Sequence, residues 1–192
     1  MRMIGLIIIL FFGCGGDLDK IKITKGGIIF PSYYDNFDPD LHIAIYEYEA
    51  HSKDQGKKFN ARELDDASIV QNVVVYDQNG SIMPNVIGAC RKSSSGRRVI
   101  EVKAGFFYGQ LAISGKALVF HELAHCLQDR PHNNSVTNGC RSIMSSVIPS
   151  SSSLSSCWNY MIYELFNPGA SLVDSHYIKQ PNGDLVCIVR NK

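Results

Sequence analysis

Apolar residues recur with a helical period in some stretches of this chain and a strand-like period in others. Turn residues mark where one gives way to the next. Asp38-Pro39, followed by Leu41, Ile43, Ala44, Ile45 and Tyr48, predicts a capped helix that ends near Gly56. Ser68 to Tyr76 carries Ile69, Val73, Val74 and Val75 ahead of Asn79-Gly80, the pattern of a strand closed by a turn. Val86 to Arg91 and Arg97 to Lys103 predict two strands joined in a hairpin by Ser93-Ser94-Ser95-Gly96. From Ser114 to Leu127 the apolar positions Leu118, Val119, Leu123, Ala124 and Leu127 follow a helix, with Ser114 as its N-cap. After Pro131 the chain turns irregular and serine-rich until a second helix, from about Cys157 to Phe166, which Asn167-Pro168-Gly169 stops. Leu172 to Arg190 reads as a hairpin around Pro181-Asn182-Gly183. Strands first, then a helix, loops and another helix make an α+β domain.

The first residues stand outside that pattern. Met1-Arg2-Met3 is a short positive start, and Ile4 to Phe12 is apolar except for Gly5, too short for a membrane span. The following Gly13-Cys14 resembles a bacterial lipoprotein cleavage site, which implies export, lipidation of Cys14 and attachment to the cell envelope. The chain then divides into a signal over residues 1–13, a tether over 14–37 and one domain over 38–192. At 192 residues it is long enough to bury a core without help from disulfides. Without Cys14 five cysteines remain, an odd number that predicts one or two disulfides and a free thiol, with the pairing open. No CxxC pair supports a cysteine-only zinc site. With 19 basic and 18 acidic residues and no basic run, nucleic acid is not an expected partner.

Candidate chemistry concentrates in His121-Glu122-Leu123-Ala124-His125. Two histidines four apart lie on one helix face and can grip one metal ion, while the adjacent Glu122 can reach a water beside that ion. With six His and six Glu in the chain, the pattern arises by chance with a probability of roughly 0.006. Val119, Phe120, Leu123 and Ala124 also place the helix in the core, where unpaired histidines are costly. A catalytic zinc needs a third protein ligand and one open position. His132 is the favoured third ligand, because Pro131 forces a turn that can bring it back. Glu164, on the later helix, is the competitor.

HExxH, a nearby third histidine and a methionine in Ser142-Ile143-Met144-Ser145 resemble the metzincin clan of zinc metallopeptidases, and in particular uncharacterised bacterial metzincin-like lipoproteins. The resemblance runs from about Asp38 to Phe166 and is specific between His121 and Met144. It implies a metzincin-like catalytic domain with His121, His125 and His132 on one zinc ion and Met144 beneath it. Two departures stand out: six residues rather than five separate His125 from His132, and Gln128-Asp129 replaces the usual glycine. Asp129 tolerates left-handed backbone and can end the helix in its stead.

The resemblance implies a zinc-dependent endopeptidase in which Glu122 takes the proton of a zinc-activated water and passes it to the leaving amine. Its substrate, a peptide or protein, would add to an edge strand, with Arg97 to Lys103 as the candidate. Tyr160 and Tyr163 are candidates for oxyanion contact, though packing is the commoner role for a tyrosine. The alternative is an exported, zinc-stabilised envelope binding lipoprotein without activity, against which an intact Glu122 argues. Gly109 to Ala117 mimics a phosphate loop but has one residue too many, and Ser150 to Ser153 reads as a loop with a helix cap. His42, His51 and His176 are read as surface or satisfied core residues.

Overall fold

The computed structural model describes residues 27–76, 79–109 and 112–168, with the strand segments Lys22–Thr24, Ser175–Lys179 and Leu185–Val189. The signal and Cys14 lie outside the described residues, as does the Pro181-Asn182-Gly183 turn. Two units are present, residues 1–32 and 33–192. In the first, β1 (Lys22–Thr24) pairs antiparallel with β2 (Gly27–Ile29).

The second unit is α+β. Asp38 caps a 3-10 turn over Pro39–Leu41, its side chain accepting from the Asp40 N–H at 3.1 Å. The turn runs into α1 (His42–Asp54), which gives out before Gly56, whose φ of 68° suits glycine. A three-stranded mixed sheet follows in the order β3 (Asp66–Val70), β5 (Arg98–Lys103), β4 (Gly88–Lys92), with β3 parallel to β5 and β4 antiparallel to it. The hairpin of β4 and β5 matches the sequence expectation. The strand expected over Ser68 to Tyr76 is shorter and earlier. Val73, Val74 and Val75 leave the ladder, and the Val74 and Val75 carbonyls accept instead from Arg91 Nη2 and the Met83 N–H.

After the short α2 (Ala104–Phe107) comes α3 (Ala112–Gln128), in which twelve of 17 residues are buried. It is apolar nearly all round because it packs against α1, α4, β4 and β5. Ser114 is therefore not its N-cap. It lies inside the helix, buried, and shares a 3.0 Å hydrogen bond with Ser151. Strands β6 (Val136–Thr137) and β7 (Cys140–Arg141) form a small hairpin before α4 (Ser151–Phe166). That helix begins six residues earlier than the apolar pattern indicates. Ser150 is the cap, and Ser155 and Ser156 bond to carbonyls one turn back, so the serine run is helix and not loop. Strands β8 (Ser175–Lys179) and β9 (Leu185–Val189) pair antiparallel, as expected. Among the described residues no helix is long and apolar enough to cross a membrane.

Two disulfides staple these elements: Cys90–Cys126 ties β4 to α3, and Cys140–Cys157 ties β7 to α4. They close loops of 36 and 17 residues. By chain entropy, removing them should lower the unfolding free energy by about 4 and about 3 kcal/mol respectively. Denaturant unfolding of the paired Cys→Ser variants checks both, and the Cys90–Cys126 variant should lose more.

Candidate metal centre

The face of α3 that carries His121 and His125 opens into a cleft of about 930 Å³, walled by β4, by residues 83–87, and by His132 and Ile148. One ring nitrogen from each of His121, His125 and His132 lies within 4.8 Å of the others. His121 is buried, His125 half-buried and His132 exposed. The sequence places all three together, and so does the structure.

Their protonation follows from their partners. His121 Nδ1 lies 2.8 Å from the Ile143 carbonyl, and His125 Nδ1 lies 2.5 Å from the Arg130 carbonyl. A carbonyl only accepts, so on both rings Nδ1 carries the proton and donates it. Burial pushes His121 down to about 4 and lowers His125 as well, so both rings are neutral near pH 7. The two Nε2 lone pairs then face one another at 2.9 Å, a repulsive arrangement that a shared cation converts into ligation. Nitrogen donors with both outer protons already committed are the donor set of a zinc site, where they would lie about 3.3 Å apart around a tetrahedral ion. The residues fit the metal.

The histidines converge because of two turns. The chain leaves α3 through Asp129, whose φ of 53° is left-handed, and the Arg130 N–H reaches back to the Ala124 carbonyl at 3.2 Å. Asp129 thus ends the helix where a glycine was absent. The Ser142-Ile143-Met144-Ser145 turn is closed by Ser145 N–H to the Ser142 carbonyl at 3.1 Å and by Met144 N–H to Ser142 Oγ at 3.0 Å. Met144 is fully buried, and its carbonyl accepts from the Asn133 N–H at 2.7 Å, which fixes the residue after His132.

Glu122 is buried, lines the same cleft and accepts from the Cys90 N–H of β4. Desolvation nonetheless pushes its carboxyl up to about 8. Gly88 lies over it: a Cβ there would meet Glu122 Oε1 at 2.4 Å and Leu118 Cδ1 at 2.7 Å. Sequence reasoning missed Gly88, the Cys90 N–H and the pairing of Cys90 with Cys126. A lone glycine in a strand pattern was the available signal, since it marks close approach of another group.

Other expected residues fall elsewhere. Glu164 is not with the histidines: its carboxylate is taken up by Arg130, Asn133 and Ser142. Neither Tyr160 nor Tyr163 lines the cleft. Arg97 to Lys103 cannot receive a substrate strand, because β5 is the central strand and is paired on both sides; the edge strand at the cleft is β4. His42 bonds to the Phe37 carbonyl and His51 packs on Phe120, as structural histidines do. The side chain of His176 is outside the described residues. Comparison with protein-family models, curated proteins and solved structures finds no match to this chain.

Gly88→Ala should destabilise the fold by about 1–3 kcal/mol through overpacking against Glu122, measured by urea unfolding. A pH effect follows for the metal-free protein. Glu122 titrates near 8 when folded, so its stabilising contribution is complete at low pH and is lost as pH rises towards 8. His121, lowered to about 4, acts oppositely, contributing above its unfolded value near 6.5 and losing that contribution as pH falls towards 4. His125 and His51, also lowered, act with His121 against Glu122 in the mildly acidic range, and between about 6.5 and 8 Glu122 is, among the described residues, the group whose shift governs. Urea unfolding in chelator should therefore show stability falling across that upper window in the parent and staying level in Glu122→Gln.

Proposed function

We propose that this chain is a zinc-dependent endopeptidase of metzincin type, exported and held at the bacterial cell envelope through a lipid on Cys14. The observation that carries the reading is the pair of neutral imidazoles whose Nδ1 protons are held by backbone carbonyls, with His132 beside them and Glu122 in the same cleft. The buried turn around Met144, whose Ile143 carbonyl accepts from His121, supports the clan assignment, and residues 1–14 of the sequence would carry the export and anchoring.

His121, His125 and His132 would hold the ion at the cleft that Glu122 also lines. Zinc bound there supplies Lewis acidity for the scissile carbonyl and for water, and favours the charged form of Glu122. The chain's own residues do the rest. A peptide added to the open side of β4 lies along the cleft wall, hydrogen-bonded by main-chain groups that neither β5 nor Glu122 uses. Glu122, held by the Cys90 N–H, accepts the proton of the attacking water and delivers it to the leaving nitrogen.

The deciding experiment measures zinc per molecule and cleavage of a mixed peptide library for the full-length chain in mild detergent, beside Glu122→Gln and His132→Ala. The parent and Glu122→Gln should each hold one zinc, with cleavage about 10²–10⁴-fold slower in Glu122→Gln. His132→Ala should bind zinc more weakly, and full affinity in that variant would sink the metzincin assignment. One zinc and no cleavage in the parent would replace the peptidase with a zinc-stabilised binding protein.

A further inference from the structure

One carboxylate joins the three segments that orient the three histidines. Glu164, buried on α4, accepts from Arg130 Nη2 at 2.5 Å, from Ser142 Oγ at 2.6 Å and from Asn133 Nδ2 at 3.2 Å. Each partner leads to a different histidine. The Arg130 carbonyl holds the Nδ1 proton of His125. Ser142 Oγ receives the Met144 N–H and so shapes the turn whose Ile143 carbonyl holds the Nδ1 proton of His121. Asn133 follows His132 directly in the chain.

Arg130 is fixed a second time, donating Nη1 to the Glu164 and Leu165 carbonyls at the end of α4, both at 3.0 Å. The helix itself is tied by Cys157 to Cys140, two residues before Ser142. Cys157 and Glu164 are seven apart, two helical turns, and so act from the same face of α4. The α4 face therefore meets both turns with one covalent link and one buried ionic hub.

From this geometry we infer that Glu164 is a positioning residue: it takes no part in ligation but sets the orientation of the zinc-binding histidines through Arg130, Ser142 and Asn133. The inference rests on the zinc site proposed above. A role in stability alone would leave the affinity of the folded protein for zinc unchanged, whereas outer-shell partners of metal-bound histidines typically change it by about 10–100-fold.

The test is the zinc affinity of the full-length chain, measured by competition with a chromophoric chelator at a temperature where circular dichroism shows each variant folded. The visible spectrum of the cobalt-substituted protein serves as a readout of ligand orientation. Glu164→Gln removes the charge of the hub. Ser142→Ala removes a single spoke and leaves the buried Arg130–Glu164 pair intact, so it decides the matter if Glu164→Gln does not fold. Ser52→Ala, which deletes a buried serine bonded to the Phe59 N–H far along α1, is the control. Glu164→Gln and Ser142→Ala, which act through the histidines' direct partners, should weaken zinc binding by up to about 10-fold, the lower end of what loss of a direct partner costs, and alter the cobalt spectrum, with Ser52→Ala unchanged. A parent that holds one zinc, with Ser142→Ala and any folded Glu164→Gln binding it equally tightly, would overturn the positioning role and leave the metal site standing. A parent that holds no zinc would remove the site itself and this inference with it.

Discussion

The hydrogen bonds from His121 Nδ1 to the Ile143 carbonyl and from His125 Nδ1 to the Arg130 carbonyl are the constraint on which this molecule is organised. They assign the tautomer of each ring, aim each Nε2 lone pair at the other, and fix how far each ring can rotate. Both acceptors are backbone atoms in turns, one just after α3 and one between β7 and α4. Neither turn is regular structure, so each must be held by something else. What holds them is α4, through the Cys140–Cys157 disulfide and the Glu164 carboxylate. Removing one member of a buried pair such as Arg130–Glu164 generally costs about 3–5 kcal/mol, because the other charge is left without a partner. Stability and site geometry are therefore coupled through the same side chains.

A second dependency runs through β4. The strand is the edge of the sheet, yet it is fastened to α3 by the Cys90–Cys126 disulfide, by the Cys90 N–H on Glu122 and by Lys92 on Asp129. Gly88 allows this approach, since no other residue leaves room for the Glu122 carboxylate. An edge strand held in this way forms one fixed wall of the cleft that the histidines also line.

The parts of this arrangement that are local in sequence are legible there. His121 and His125 share a face because a helix has 3.6 residues per turn, and a single proline explains how His132 returns. The β4–β5 hairpin and α1 follow from turn and cap residues for the same reason. What the pattern hides is long-range. Arg97 to Lys103 looks like an edge strand only until β3, from far upstream, inserts beside it in parallel. The cysteine pairs depend on which strand meets which helix. Glu164 sits in the apolar run Met161-Ile162-Tyr163-Glu164-Leu165-Phe166, which marks a charge that must find a buried partner. Spacing alone does not say whether that partner is a metal or an arginine.

The chain between the second and third histidines leaves the helix early. Helix α3 ends at Gln128, three residues after His125, and the chain turns at the corner formed by Asp129, Arg130 and Pro131. A left-handed aspartate costs about 1–2 kcal/mol more than glycine there, so the corner persists only if its surroundings hold it. Its side chain meets Lys92, the next N–H returns to Ala124, and the next side chain is the buried Arg130. The exposed Lys92–Asp129 pair contributes little energy, which leaves Arg130 as the anchor. The residue whose carbonyl orients His125 is thus also the one that keeps the corner folded, while Asn133, bonded to Met144, brings His132 back to the other two.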